Sequence, residues 1–183
     1  KMIDEDRWFK KLEIEVPSEI LEEAKNVPYV KHRDIGVGWS SCALFGAGQS
    51  WQTNPPAMYG IEKPTWTEIK DQCPVTVEWL ESLPFNDLQR ARFMRLDPGG
   101  FIEPHTDSKV RNIASAINVS LNQPEGCVFR RSNGEVFPFE PLTAWFFDNG
   151  VEHFVQNNSE ETRYHFIIHD RGWNEEKVNA FIR

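Results

Sequence analysis

Residues 143–169, TAWFFDNGVEHFVQNNSEETRYHFIIH, decide the fold of this chain. Three runs rich in aromatic and β-branched residues lie within this stretch, at Thr143–Phe147, His153–Gln156 and Arg163–His169. The first two are separated by Asp148-Asn149-Gly150, a sequence typical of tight turns. The stretch therefore predicts three consecutive β-strands.

Short strand-forming runs of the same kind extend upstream to residue 91. Further short runs of strand-forming residues are Ala91–Leu96, Ile113–Leu121, Cys127–Arg131 and Glu135–Phe139. Turn sequences between the runs are Asp97-Pro98-Gly99-Gly100 and Asn133-Gly134. Several short strands at near-regular spacing predict a β-barrel or a jelly roll.

The first half of the chain has a different character. Ser18 before Glu19 predicts the capped start of a helix, and Pro74 predicts the first turn of a second helix. Residues 34–56, rich in Gly, Ser and Trp, predict irregular strand and loop. Asn174 predicts the cap of a closing helix.

The length of 183 residues favours one domain. We expect a helical and irregular support on the substrate side (residues 1–90), a β-rich core (91–171) and a C-terminal helix (172–183). The predicted fold class is mainly β with flanking helices.

Composition limits the classes of partner. The net charge of −8 disfavours a broad contact with phosphate backbones, so no nucleic acid is expected. The sequence has no apolar run of membrane-spanning length and does not open with a secretory signal pattern, so no membrane partner is expected. The three cysteines form no CxxC pair and predict neither a disulfide framework nor a zinc site. A reducing cytoplasm is the expected location.

A candidate metal site begins at His105-Thr106-Asp107. On a strand or tight turn, residues i and i+2 can point the same way, so an imidazole and a carboxylate can share one ion. His153, just after the Asp-Asn-Gly turn, is the preferred third ligand. Two histidines and one carboxylate form the facial triad of non-haem iron oxygenases, which leaves positions for a chelating 2-oxo acid and O2. His165 and His169 remain rivals for the third position, and His32 is predicted to lie on the surface.

Arg163 is the candidate anchor for the far carboxylate of that 2-oxo acid. It lies ten residues after His153 and begins an apolar run. A charged side chain is unfavourable in such a run unless it faces a cavity that holds an anion. The planar guanidinium of arginine can bind a carboxylate bidentately. If Arg163 points inward, strand alternation puts His165 on the same face and the large apolar residues on the other, under the helices.

The run Ile113–Leu121 predicts the same kind of lumen. One of its faces is wholly apolar, and the other carries small and polar residues, including Asn118. Asn118 is therefore expected to face a polar ligand inside the barrel.

This ordered set of residues resembles the aspartyl/asparaginyl β-hydroxylase family of 2-oxoglutarate oxygenases, which includes free amino-acid hydroxylases such as proline 3-hydroxylases. The resemblance covers residues 95–171. It is carried by Pro98-Gly99, Pro104-His105-Thr106, Glu125-Gly126-Cys127, Phe147-Asp148, Glu152-His153, Asn157 and Arg163. It implies a double-stranded β-helix, which is a cupin-like jelly roll, and a reaction that uses Fe(II), 2-oxoglutarate and O2.

The resemblance also implies roles for single residues. It assigns the iron-binding histidines to His105 and His153 and the 2-oxoglutarate anchor to Arg163. The human-type aspartyl hydroxylase has Gly at the position of Asp107 and binds iron with two histidines. The full triad in this chain resembles the amino-acid hydroxylase branch instead.

A second departure lies in the co-substrate contacts. The family anchors 2-oxoglutarate with a Ser where this chain has Met94. Asn118 or Arg95 is expected to replace that contact. The predicted co-substrate residues are therefore Arg163, Asn118 and His165.

The chain is predicted to be a dioxygenase that hydroxylates an amino acid of the Asp, Asn or Pro type, free or within a peptide. Its partner would be that small-molecule or peptide substrate. The arginines that could hold a substrate carboxylate are Arg92, Arg95, Arg111, Arg130 and Arg131. Arg111, Arg95 and Trp145 are the predicted substrate-binding residues. The alternatives are a non-catalytic jelly roll that binds a metal or carboxylate, and an oxygenase of another small molecule or a nucleobase.

Overall fold

The computed structural model describes residues 9–52, 63–107, 116–147 and 150–171. Its strands are β1 (Phe9–Leu12), β2 (Val30–Lys31), β3 (Gly36–Gly46), β4 (Thr65–Trp66), β5 (Leu88–His105), β6 (Ile117–Ser120), β7 (Cys127–Arg131), β8 (Thr143–Phe147), β9 (His153–Asn157) and β10 (Arg163–Asp170). Its helices are α1 (Glu19–Lys25), α2 (Pro74–Ser82) and a 3₁₀ helix (Glu68–Gln72). Within these described residues, no helix is both long and apolar enough to cross a membrane.

The strands form a curled antiparallel sheet. Its main path runs in the order β1-β8-β6-β10-β5-β3-β2. The second half of β5 pairs with β9, and β9 pairs with β7, so these strands form a second layer that faces the main path. This arrangement confirms the prediction of a mainly β, jelly-roll fold.

Strand β5 corrects one prediction. Asp97-Pro98-Gly99-Gly100 was expected to end a strand, but β5 continues through it. The half that ends at Leu96 pairs with β10, and the half from Phe101 pairs with β9. Gly99 has a φ of 75°, and a Cβ on Gly100 would lie 2.8 Å from the carbonyl oxygens of Asp97 and Val37. The glycines therefore bend one continuous strand from one layer into the other instead of reversing the chain.

A second correction concerns Glu135–Phe139. This segment forms only an isolated bridge, between Val136 and Arg130, and is not a strand. Pro138 has no N–H to donate to a ladder. The segment is held by a backbone hydrogen bond from Phe137 N to Phe129 O (2.7 Å) and by the rings of Phe137 and Phe139, which stack with centroids 4.0 Å apart inside the barrel.

The other strand predictions for residues 127–170 are close to the structure. β7 and β8 have the predicted bounds, and β9 and β10 are each one residue longer. Ile113–Leu121 is shorter in the structure, where β6 covers Ile117–Ser120, and residues 113–115 lie outside the described part of the chain.

The N-terminal half contributes more strand than predicted. β1 pairs with β8, and the eleven-residue β3 pairs along most of β5, so the sheet is not confined to residues 91–171. α1 and α2 begin where expected, although the Ser18 side chain makes no capping hydrogen bond. The predicted helix at residues 172–183 lies outside the described residues.

The two faces of the main sheet pack into two cores. Phe166 and Ile168 lie under the helices, as the alternation predicts, with the Phe166 ring centroid 6.2 Å from that of Trp79 in α2. The lumen face packs a separate cluster of buried residues: Trp39, Met94, Leu96, Ile102, Phe129, Phe137, Phe139, Trp145, Phe147 and Val155. The candidate functional site lies on this lumen face.

The start of α2 gives a test of how the helices are held. Cys73 offers no side-chain cap, and Glu23 of α1 supplies the acceptors instead. Its carboxylate accepts from Val75 N (3.1 Å), Thr76 N (2.8 Å) and Thr76 Oγ1 (2.6 Å). We expect Glu23→Gln to lower the free energy of unfolding by about 1.5–3 kcal/mol, because it removes the charge and one acceptor. Urea unfolding measures the change.

The matched control for this prediction is Glu22→Gln. Glu22 lies next to Glu23, but its side chain is exposed and pairs with Lys25 at 3.4 Å. An exposed pair of this kind contributes roughly 0–1 kcal/mol. Equal losses in the two variants would show that Glu23 is not a cap.

Candidate functional site

Three side chains that could bind a metal meet where β5 ends and β9 begins. The register pairs His105 of β5 with His153 of β9, and Asp107 follows two residues after His105. One nitrogen or oxygen atom from each of the three residues lies within 4.8 Å of the others. His105 Nε2 is 3.6 Å from Asp107 Oδ1, and His153 Nε2 is 3.5 Å from Asp107 Oδ2.

Backbone hydrogen bonds orient both imidazoles. His105 Nδ1 lies 2.7 Å from Glu103 O, and His153 Nδ1 lies 2.7 Å from Val151 O. A carbonyl oxygen only accepts, so Nδ1 carries the hydrogen in each ring. In the neutral ring, Nε2 then presents its lone pair toward Asp107, as a metal ligand must.

His153 is fixed more firmly than its partner. Its side chain is buried, and the Phe129 ring stacks on it at 5.2 Å with an interplanar angle of 8°. Burial lowers the pKa of His153, against the opposing effect of its hydrogen bond to Val151. A buried neutral imidazole suits metal binding, since protonation would compete for the same lone pair.

The donor set fits a ferrous ion. Two imidazole nitrogens and one carboxylate oxygen converge from one side, which matches the 2-His-1-carboxylate triad and its open positions. Arg33 Nη1 lies 3.5 Å from Asp107 Oδ1 and holds the carboxylate from the side. Arg33 was not identified from the sequence.

Arg163 occupies the inner face of β10, as predicted. Its side chain is only 4% exposed, and its Nε has no hydrogen-bond partner among the described residues. Burial lowers the pKa of this guanidinium, and the Cys127 sulfur acts in the opposite direction. Burying a guanidinium whose Nε makes no hydrogen bond is costly, and an anion that enters the lumen would offset the cost.

Two neighbouring groups are also left without partners. Both ring nitrogens of His165 and Oδ1 of Asn118 are buried and make no hydrogen bond within the described part of the chain. His165 lies two residues along β10 from Arg163, and Asn118 pairs in register with Ile167. Burial and the charge of Arg163 hold the pKa of His165 well below its usual range, so the ring is neutral. These polar atoms are placed to hydrogen-bond to a polar ligand inside the barrel.

The predicted substrate residues fall in different places. Arg95 lies on the helix side of β5, where its Nε is 3.1 Å from Ser40 Oγ and its guanidinium lies 4.4 Å above the Tyr29 ring centroid. This placement departs from the prediction that Arg95 binds substrate or anchors the co-substrate, because the side chain points away from the lumen. Trp145 lines the lumen among other aromatic rings and donates to Thr143 Oγ1. Arg111 lies outside the described residues.

The side chain of Asn157 links the bend of β5 to the start of β10. Its Nδ2 lies 3.0 Å from Leu96 O and 3.2 Å from Asp97 O, at the bend of β5. The same atom lies 2.8 Å from Glu161 O, in the turn that leads to Arg163. A fully buried amide thus fixes the bend of β5 relative to the start of β10.

Comparison with known proteins agrees with this geometry. The family model described as Aspartyl/Asparaginyl beta-hydroxylase matches residues 11–171. No curated protein sequence matches the chain significantly.

Solved structures with similar folds share little sequence with this chain. An oxidoreductase of the 2OG-Fe(II) oxygenase family from Burkholderia pseudomallei is 12% identical, with a TM-score of 0.53 over 84% of this chain and 78% of its own. A prolyl-4-hydroxylase from Pseudomonas putida is 14% identical, with a TM-score of 0.53 over 92% and 95%. A prolyl hydroxylase from Trichoplax adhaerens, in complex with a hypoxia inducible factor peptide fragment, is 11% identical, with a TM-score of 0.57 over 96% and 87%.

Proposed function

Because this chain belongs to the aspartyl/asparaginyl β-hydroxylase family, we propose that it hydroxylates an amino acid, free or within a peptide, at a metal centre formed by His105, Asp107 and His153. The enzyme is a dioxygenase that depends on Fe(II) and 2-oxoglutarate. The observation that carries the proposal is the convergence of these three side chains within 4.8 Å, above a lumen that holds the buried guanidinium of Arg163, whose Nε has no hydrogen-bond partner among the described residues.

Different residues would bind the metal ion and the co-substrate. His105, Asp107 and His153 would hold Fe(II), which when bound supplies the activation of O2 needed to insert oxygen into a C–H bond as 2-oxoglutarate is converted to succinate and CO2. Arg163 would bind the far carboxylate of 2-oxoglutarate. Asn118 and His165 would offer further polar contacts inside the lumen, in place of the family serine that Met94 replaces.

Packing around the site supplies orientation and excludes water. The Phe129 ring stacks on His153, and the Phe147 ring meets it edge-on with centroids 5.5 Å apart. These rings hold the imidazole in one orientation. They also surround it with apolar surface, which strengthens electrostatic contacts inside the pocket.

The proposal is tested spectroscopically and by product formation. We expect anaerobic addition of Fe(II) and 2-oxoglutarate to the metal-free protein to produce a visible charge-transfer band. Neither addition alone should produce it, and a chelator should remove it. With oxygen admitted, a screen of free amino acids and short peptides should reveal substrate-dependent succinate formation. Absence of the band would refute the proposed function.

A further inference from the structure

Arg33 approaches the candidate metal centre from the N-terminal half of the chain. It lies in the connection between β2 and β3 (residues 32–35), and its Nη1 is 3.5 Å from Oδ1 of Asp107. Oδ1 is also 3.6 Å from His105 Nε2, whereas Oδ2 is 3.5 Å from His153 Nε2. Each carboxylate oxygen thus faces one imidazole, but Oδ1 is the oxygen that Arg33 engages.

The backbone on both sides of this arginine is fixed to the strands that carry the site. His32 N donates to Trp39 O of β3 (3.0 Å), and Glu103 N of β5 donates to Ile35 O (2.8 Å). The carbonyl oxygen of Glu103 in turn accepts the hydrogen bond from His105 Nδ1 (2.7 Å). A single residue of β5 therefore links the β2–β3 connection to a metal ligand and fixes the height of the arginine above the site.

The ring of His32 packs under the same connection. Its Nδ1 lies 3.0 Å from Ser41 Oγ, and its centroid lies 4.3 Å from that of Trp39. His32 was predicted to lie on the surface, and this packing corrects that prediction. Burial lowers the pKa of His32 to about 2, so the ring is neutral and adds no charge beside Asp107.

The pair of Arg33 and Asp107 is too exposed to contribute much to folding. The two side chains are 46% and 32% exposed, and ion pairs in such positions add little to stability. The effect of the pair is directional instead. A guanidinium that engages one oxygen of a carboxylate opposes the rotation that would turn both oxygens toward one ion.

The direction of this carboxylate decides how many positions on the metal stay open. An octahedral ion held by two imidazoles and one carboxylate oxygen keeps three open positions. The proposed function assigns two of them to 2-oxoglutarate and the last to O2. If both oxygens of Asp107 bound the ion, the carboxylate would occupy that last position.

We propose that Arg33 is a positioning residue, which holds Oδ1 of Asp107 away from the metal so that the carboxylate binds through Oδ2 and the last position stays open for O2. The inference rests on the proposed function for the presence of the metal and the co-substrate. It concerns the β2–β3 connection, which supplies no metal ligand of its own.

Nitric oxide tests the open position without a known substrate. It is a diatomic ligand that takes an open position on Fe(II) in place of O2, and the complex has a characteristic paramagnetic resonance signal. The wild-type protein and its variants are loaded with Fe(II) and 2-oxoglutarate without oxygen and titrated with nitric oxide. Affinity for Mn(II) is measured separately by calorimetry.

We expect Arg33→Met to weaken nitric oxide binding by about 10- to 100-fold, the range typical when an outer contact of a metal ligand is removed. Mn(II) should bind at least as tightly as to the wild type, because a nearby cation has gone and a second oxygen has become available. The visible band should move to longer wavelength, since an additional anionic donor makes the metal more electron-rich. Arg33→Lys should restore part of the nitric oxide affinity, because its ammonium still attracts Oδ1.

Lys31→Met is the matched control. Lys31 lies at the start of the same connection, and its Nζ pairs with the exposed Asp34 at 3.0 Å. This variant removes the same charge from the same part of the surface. Nitric oxide affinity, Mn(II) affinity and the band should all remain as in the wild type. If Arg33→Met does not fold, Arg33→Ala carries the same test.

The outcomes separate this inference from the proposed function. Unchanged nitric oxide affinity in Arg33→Met would overturn the inference. A parallel loss of nitric oxide and Mn(II) affinity would also overturn it, because Arg33 would then only support the structure of the site. In either case, a normal band in the wild-type protein would leave the proposed function standing. Absence of the band in the wild type would count against the proposed function itself.

Discussion

His153→Ala is expected to lower metal affinity and kcat/KM by more than about 100-fold each, since even residues that only support metal ligands contribute 10- to 100-fold. The reason is geometric. Asp107 and His105 lie on one short segment, and His153 is the ligand that the register of β9 brings to them. Its removal leaves two donors and an open apolar space beside Phe129. Metal titration and the visible band measure the loss directly.

Glu152→Gln is the matched control. Glu152 precedes His153, is exposed, and hydrogen-bonds to Ser132 instead of facing the metal ligands. We expect metal affinity and the band to stay within a factor of about two of the wild-type values. A His153→Ala variant that binds Fe(II) as tightly as Glu152→Gln would place the metal elsewhere.

The convergence of the three candidate metal ligands could be predicted because much of it is local. The i and i+2 spacing of His105 and Asp107 needs only a strand end or tight turn, and the structure provides one. The choice of His153 over His165 and His169 depended on where strands begin and end. The structure places His153 at the start of β9 and the other two within β10.

The roles of the arginines on β5 could not be predicted in the same way. Ala91-Arg92-Phe93-Met94-Arg95-Leu96 has apolar residues on both faces of the strand. Period-two alternation therefore shows that Arg92 and Arg95 point in opposite directions but not which one points into the lumen. The answer comes from the tertiary fold, in which the helices cover Phe93 and the aromatic cluster of the lumen packs on Met94.

The bend of β5 is a second feature that local sequence alone does not determine. Asp-Pro-Gly-Gly is a turn sequence, and its glycine does adopt a positive φ. The chain nevertheless remains in the sheet, because β3 pairs along both halves of β5 and supports the bend from the side. Local sequence predicts the backbone irregularity, whereas the long-range pairing decides whether it reverses the chain or bends a strand.

Arg163→Met is expected to have opposite effects on the free and the liganded protein. In the free protein it removes a buried guanidinium whose Nε has no hydrogen-bond partner among the described residues, so stability to urea should be unchanged or higher. Affinity for 2-oxoglutarate should fall by roughly 30- to 4000-fold, which corresponds to the loss of about 2–5 kcal/mol when one partner of a buried charge pair is truncated.

Urea unfolding with Mn(II), with and without 2-oxoglutarate, measures both effects in one experiment. A ligand at 100 times its dissociation constant stabilises the folded protein by about 2.7 kcal/mol, and this increment should fall to about 0.9 kcal/mol or less in Arg163→Met at the same ligand concentration. Arg163→Lys should retain part of it, because the charge remains without the fork. Arg171→Met is the control, since Arg171 is exposed just beyond β10 and should keep the whole increment. If Arg163→Met is instead much less stable than the wild type without ligand, and is stabilised by 2-oxoglutarate to the same extent, then Arg163 is a structural residue and the co-substrate carboxylate binds elsewhere.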